Sequence, residues 1–125
     1  MRALVVDDQR TCRMVLAMQL ETMGCLSVTI ADPEAALEVA DTSRFDIGFI
    51  DVHMPGTDGI ALLKKLTGLS DGRRFPIIMV SVDDDRSVRQ AALDAGAEGF
   101  LIKPVSRADI AERIEKLRTE SVLAS

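Results

Sequence analysis

Charged and hydroxyl side chains close four apolar runs in this chain. Asp7 and Asp8 follow Arg2-Ala-Leu-Val-Val6, Asp51 follows Ile47-Gly-Phe-Ile50, Ser81 follows Ile77-Ile-Met-Val80, and Lys103 follows Phe100-Leu-Ile102. Short apolar runs alternating with helical patterns read as buried parallel strands. In an open α/β sheet the carboxyl ends of such strands share one edge, and ligands bind there. The pattern therefore gathers three carboxylates, one hydroxyl and one ammonium at a single edge. Adjacent carboxylates raise one another's pKa unless a cation intervenes. Hard oxygen ligands of this kind suit Mg²⁺, and an ammonium beside them would also bind a phosphoryl oxygen. The residues point to a site for a divalent cation and a phosphoryl group. For Asp7 and Asp8 alone the competing reading is that they cap the first helix.

The elements that must position these residues alternate strictly. Strands are expected at about Arg2–Val6, Leu26–Ile30, Ile47–Ile50, Ile77–Val80 and Gly99–Ile102. Helices are expected at about Arg10–Met23, from Asp32-Pro33-Glu34 to Asp41, Gly59–Leu66, Arg86–Ala95, and onward from Ser106. Asp32 and Ser106 have the chemistry of N-caps, with Pro33 at a first helical position. Ile110, Ile114 and Leu117 form the apolar face of the last helix. Alternating β and α units imply right-handed crossovers and a parallel sheet covered on both faces, a doubly wound α/β three-layer sandwich. Lys103-Pro104 is a candidate cis peptide, since tight turns are where cis-proline occurs.

Size and composition exclude several classes. The 125 residues suit one domain, and 47% hydrophobic content allows a sizeable core. No apolar stretch approaches the ~20 residues that span a bilayer. The N-terminus enters a strand pattern at once, without the look of a signal peptide. Cys12 and Cys25 lack metal-type spacing, and so little cysteine favours a reducing cytoplasm. The net charge of -5 and the absence of Trp and Tyr argue against direct nucleic-acid binding and against an anionic membrane.

The motifs Val-Val-Asp7-Asp8, Asp51-Val-His-Met-Pro55-Gly-Thr-Asp-Gly59, Ser81, Ala95-Gly-Ala-Glu-Gly-Phe100 and Lys103-Pro104 together resemble the receiver domain of two-component response regulators, as in the chemotaxis response regulators. The likeness runs from Leu4 to about Leu117. It implies a flavodoxin-like (βα)5 sheet of order 2-1-3-4-5, a receiver domain over residues 1–118, and 119–125 as a tail or linker start. It implies Asp51 as phosphoacceptor, with Mg²⁺ held by Asp8, Asp51 and the backbone carbonyl of His53, and by Asp7 mainly through water. Ser81 would donate to a phosphoryl oxygen, and Lys103 would pair with Asp51 or its phosphoryl group. Phe100 would be the switch aromatic, turning inward when Ser81 moves. The partners implied are a histidine kinase or histidine phosphotransfer protein, and then a downstream protein target or an output domain beyond residue 125. The domain would be a signalling switch with slow self-catalysed phosphoryl chemistry, not a metabolic enzyme.

Departures from the family pattern are Val82, where a small residue is usual, and the acidic run Asp83-Asp84-Asp85, in which Asp84 or Asp85 can also cap the fourth helix. A phosphohydrolase of the haloacid dehalogenase type would need a second aspartate where His53 stands. A phosphorylation-independent adaptor is opposed by the intact Asp8, Asp51, Ser81 and Lys103. On the first helix, Cys12, Leu16, Leu20 and Met23 form a stripe suited to the sheet. Met14 and Met18 lie off it, as a phosphodonor-docking surface or as two partly exposed methionines.

Overall fold

A computed structural model of the chain describes residues 1–69 and 74–124, without the side chains of Thr57 and 121–124. Of the loop expected at 68–74, residues 70–73 lie outside the described residues, as does Ser125. The strands are β1 (Arg2–Val6), β2 (Leu26–Ile30), β3 (Ile47–Asp51), β4 (Ile77–Ser81) and β5 (Gly99–Ile102). The helices are α1 (Arg10–Thr22), α2 (Pro33–Thr42), α3 (Gly59–Thr67), α4 (Arg86–Asp94) and α5 (Arg107–Ala124). All strand pairs in the main sheet are parallel, in the order β2-β1-β3-β4-β5. This is the doubly wound, flavodoxin-like sandwich expected from the alternation and the resemblance.

The period of two along each strand divides the core. Leu4, Val6, Ile50 and Met79 face one side, where they meet Ala36 and Ala40 of α2, Leu62, Leu63 and Leu66 of α3, and Ala92 of α4. Ala3, Val5, Phe49 and Val80 face the other, against Leu20 of α1 and Ile110 and Ile114 of α5. Burial of both faces explains why the strands read as continuous apolar runs.

Local chemistry ends the helices where expected. Asp32 accepts a hydrogen bond from Ala35 N at 3.2 Å, and Pro33 opens α2. Ser106 Oγ accepts from Asp109 N at 3.1 Å at the start of α5. Asp85 is the N-cap of α4, its carboxylate accepting from Ser87 N at 2.8 Å.

Two features add to the sequence reading. The backbone from 119 to 124, expected as a tail or linker start, is helical and continues α5 to Ala124. Thr119, Glu120 and Ala124 have no helix-stopping chemistry, and neither Gly nor Pro occurs after Pro104. A two-residue antiparallel ribbon, His53–Met54 with Thr57–Asp58, also closes the connection between β3 and α3. It turns through Pro55-Gly56, where Gly56 adopts φ 74°.

Candidate phosphoacceptor site

Strand register assembles the site. Val6 pairs with Ile50, so Asp7 and Asp51 leave adjacent strands at the same level. Asp51 pairs with Val80 and Ser81 with Ile102, which brings Ser81 and Lys103 to the same edge. Lys103 N donates to Ser81 O at 2.7 Å, continuing the ladder one step beyond β5. The Lys103–Pro104 peptide is cis, as the turn context suggested.

Asp7, Asp8 and Asp51 each place a carboxylate oxygen within 4.8 Å of the others. Asp7 and Asp51 are buried and Asp8 is exposed. Hard oxygen donors at this spacing, with one side open to water, fit a small divalent cation that keeps part of its hydration shell. Neither Asp7 nor Asp8 is the N-cap of α1. That position belongs to Gln9, whose backbone N–H donates to Asp7 Oδ1 at 2.9 Å. The capping alternative is thus replaced by an aspartate turned toward the sheet edge.

Lys103 reaches into this cluster. Its Nζ lies 2.8 Å from Asp7 Oδ2 and 3.4 Å from Asp51 Oδ2. The family resemblance implied pairing with Asp51; the closer partner here is Asp7, and the ammonium bridges both. Asp51 Oδ1 also accepts from His53 N at 3.3 Å. The His53 side chain is exposed, as expected of a residue whose backbone matters.

Burial and then the Asp7 charge raise the Asp51 carboxyl above its ordinary 3.8, against the opposing pull of Lys103 and the His53 amide. For Lys103 burial is the largest influence and disfavours the ammonium. The hydrogen bond to Asp7 and the charges of Asp51 and Asp7 outweigh it, so Lys103 titrates above 10.5.

Ser81 is fully buried, and its Oγ accepts from Asp83 N at 3.0 Å. The hydroxyl therefore anchors the acidic β4–α4 connection. Asp83, Asp84 and Asp85 are all exposed. Asp85 caps α4, and Asp84 Oδ1 pairs with Arg89 at 2.9 Å. Val82, where the family pattern has a small residue, is 70% exposed and lines the crevice described below.

The resemblance makes Phe100 the switch aromatic; in this structure its ring is only 9% exposed, within the core cluster that contains Ala92 and Ala97. The Arg89 guanidinium lies 5.3 Å from the ring centroid and covers it. Phenylalanine has no hydroxyl to hold it in water, so burial is its favoured state.

On α1, Met14 is 51% and Met18 62% exposed, while Leu20 is buried and Cys12, Leu16 and Met23 are half-buried. The helix faces are those read from spacing. Sequence reasoning missed an apolar crevice of ≈ 350 Å³ between α1 and the β5–α5 connection. Val15, Leu16, Val80 and Val105 line it, and it borders Asp51 and Lys103. Gln19 also lines it, with an Oε1 that is buried without a hydrogen-bond partner. No local pattern encodes such a gap, because it depends on how far α1 stands from the sheet.

The whole pattern matches the family described as the response regulator receiver domain, over residues 3–115. This chain belongs to that family. It is 30% identical over 118 residues to chemotaxis protein CheY-3 of Vibrio cholerae, covering 94% of this chain and 91% of that one. It is 35% identical over 116 residues to the cyclic di-GMP phosphodiesterase response regulator RpfG of Xanthomonas campestris, covering 91% of this chain but only 31% of RpfG. Among solved structures it resembles the receiver domain of the sensor histidine kinase PA1611 from Pseudomonas aeruginosa, whose active-site cleft holds a magnesium ion. The TM-score is 0.84 at 27% identity, over 93% of this chain and 95% of that one. No helix among the described residues is long and apolar enough to cross a membrane.

The raised Asp51 pKa has a consequence for stability. A carboxyl that titrates higher when folded contributes stability in acid and loses it as pH rises through the folded-state value. At neutral pH the ionised Asp51 is therefore a net burden on the metal-free fold. Asp51→Asn is expected to melt a few degrees above the wild type in EDTA at pH 7, with the difference shrinking as the pH falls through the raised folded-state value toward 3.8. Thermal denaturation followed by circular dichroism checks this, and a variant that melts lower at pH 7 contradicts it.

Proposed function

We propose that this receiver accepts a phosphoryl group on Asp51 from the phosphohistidine of a histidine kinase or histidine phosphotransfer protein. The observation that carries the reading is a buried carboxylate at a strand end, held beside two further carboxylates and 3.4 Å from an ammonium. In the transfer, an Asp51 oxygen attacks phosphorus in line and the P–N bond to the donor imidazole breaks. The P–O bond to Asp51 forms as the imidazole leaves.

Asp8, Asp51 and the His53 carbonyl would hold Mg²⁺, with Asp7 acting through water. The ion supplies charge neutralisation for the incoming phosphoryl oxygens. Lys103 contributes the second positive charge and is already poised between Asp7 and Asp51. Ser81 supplies a hydroxyl donor. To use it, the side chain gives up its present bond from Asp83 N and carries the β4–α4 connection with it. The phosphoryl group adds about 1.5 to 2 negative charges and three strong acceptors. That is sufficient to bias a two-state loop next to Asp83, Asp84 and Asp85.

The output is a change in the α4–β5–α5 surface, read by a downstream protein or by an output domain of a longer chain. The moving parts in this reading are residues 82–85, the start of α4 and the Phe100 ring, which turns with Ser81. RpfG illustrates a receiver within a longer regulator, and the present chain spans 31% of it. Free Cys12 and Cys25 suit a reducing cytoplasm. Within this reading residues 119–124 extend the last helix toward whatever follows.

Acetyl phosphate with Mg²⁺ is expected to add one phosphoryl group to the wild type and none to Asp51→Asn, measured by intact-protein mass spectrometry. Equal labelling of both proteins contradicts the assignment.

The exposed Met14 and Met18 are the proposed docking surface for the donor's helical bundle, since they stand one turn apart on α1, the helix whose Val15 and Gln19 line the crevice that borders Asp51. The double variant Met14→Lys, Met18→Lys should slow transfer from the cognate phosphodonor by about tenfold, the loss of ~1.4 kcal/mol of docking energy. Labelling by acetyl phosphate should be nearly unchanged. Equal slowing with both donors removes these methionines from the interface.

A further inference from the structure

The backbone that carries Asp51 is held as closely as its side chain is surrounded. The residue after it, Val52, is gripped from two sides. Val52 N donates to Val80 O at 2.9 Å, and Val52 O accepts from Gly59 N at 2.8 Å. Gly59 is the buried first residue of α3. A Cβ at this position would lie 2.0 Å from the Asp51 carbonyl oxygen and 2.9 Å from Val52 Cα. An ordinary C···O contact is about 3.3 Å or more, so the two backbones would have to part by over an ångström. The obstructing atoms are main chain, and no rotamer change relieves them. Gly99 differs: its Cβ would meet the Arg113 guanidinium at 2.8 Å, the far end of a side chain that can swing away.

Displacing Asp51–Val52 has a local consequence. This stretch orients the Asp51 carboxylate, and His53 N ties back to Asp51 Oδ1 at 3.3 Å. The His53 carbonyl leaves from the next peptide unit, within the ribbon that ends at Asp58. Asp7 and Asp8 come from β1 and would not follow the shift. Mg²⁺ tolerates little departure from octahedral geometry, so relative movement of its ligands on this scale is felt directly.

We propose that Gly59 is a positioning residue for the metal site. Its bare Cα lets the start of α3 press against the Asp51–Val52 backbone and sets the Asp51 carboxylate and His53 carbonyl at the spacing from Asp8 that the cation requires. The inference rests on the metal site of the proposed function.

The test uses Mn²⁺ as the probe, with its free-ion electron paramagnetic resonance signal reporting affinity, at a temperature where circular dichroism shows each protein folded. Gly59→Ala is expected to bind Mn²⁺ at least tenfold more weakly than the wild type. Gly99→Ala, a methyl added at the opposite end of the sheet where Arg113 can give way, is expected to bind within twofold of wild type. If folded Gly59→Ala also binds within twofold, or if both variants weaken alike, the positioning role is overturned. Should Gly59→Ala not fold, Asp58→Ala serves instead, because Asp58 caps α3 through Ile60 N at 2.9 Å and fixes the same helix start without adding an atom. A threefold weaker affinity supports the role, and an unchanged one overturns it. Wild-type protein that fails to bind Mn²⁺ overturns the metal reading and this inference together, whereas a failure at Gly59 alone leaves that reading standing.

Discussion

Three carboxylates converge on one sheet edge with a single ammonium among them, and the rest of the molecule is arranged around that imbalance. Asp7 and Asp51 are buried, Asp8 faces water, and Lys103 reaches both buried partners. Burial, and then the charge of Asp7, hold the Asp51 carboxyl above its ordinary value although Lys103 pulls the other way. The metal-free protein thus stores unfavourable electrostatic energy at the place where a cation and a phosphoryl group would relieve it. Removing Lys103 would leave buried carboxylates unpaired, which is why this contact serves the fold as well as the chemistry.

Holding like charges together demands a scaffold that cannot relax. The parallel sheet supplies it through register, since Val6 opposite Ile50 and Asp51 opposite Val80 leave no freedom in where the acidic side chains emerge. Apolar packing on both faces makes a slip of register costly, because every side chain would change sides. The β3–α3 connection adds a short ribbon and the close approach of Gly59. By contrast, the β4–α4 connection is exposed and held by polar contacts: Ser81 Oγ to Asp83 N, and Asp84 to Arg89. Exposed ion pairs of this kind contribute about 0–1 kcal/mol. A rigid acceptor next to a weakly held acidic loop is what a charge-driven switch requires.

The sequence disclosed most of this because its signals are local. Strand-end Asp7, Asp51, Ser81 and Lys103 could be placed at one edge from alternation alone, the caps Asp32 and Ser106 could be named from residue type, and that of α4 narrowed to Asp84 or Asp85. The harder features depend on distance in space. Lys103 lies closer to Asp7 than to Asp51 because of side-chain reach across the sheet, which no spacing encodes. The enclosure of the Phe100 ring by Ala92, Ala97 and Arg89 depends on where α4 packs, which no spacing encodes. The crevice beside α1 with the unpaired Gln19 oxygen is a property of helix placement. Small, polar residues near the C-terminus suggested a frayed end or linker start, and the backbone there is helical to Ala124, with no Gly or Pro to stop it.

The central claim is that the acidic cluster is an electrostatically strained cation site. Thermal melting as a function of Mg²⁺ concentration tests it most directly, since a ligand that binds only the folded state raises its stability by linkage. The wild type should melt progressively higher through the millimolar range, and Asp8→Ala, which lacks the exposed carboxylate, should not respond. Melting of the wild type that is insensitive to Mg²⁺, or an equal response in Asp8→Ala, would contradict the account.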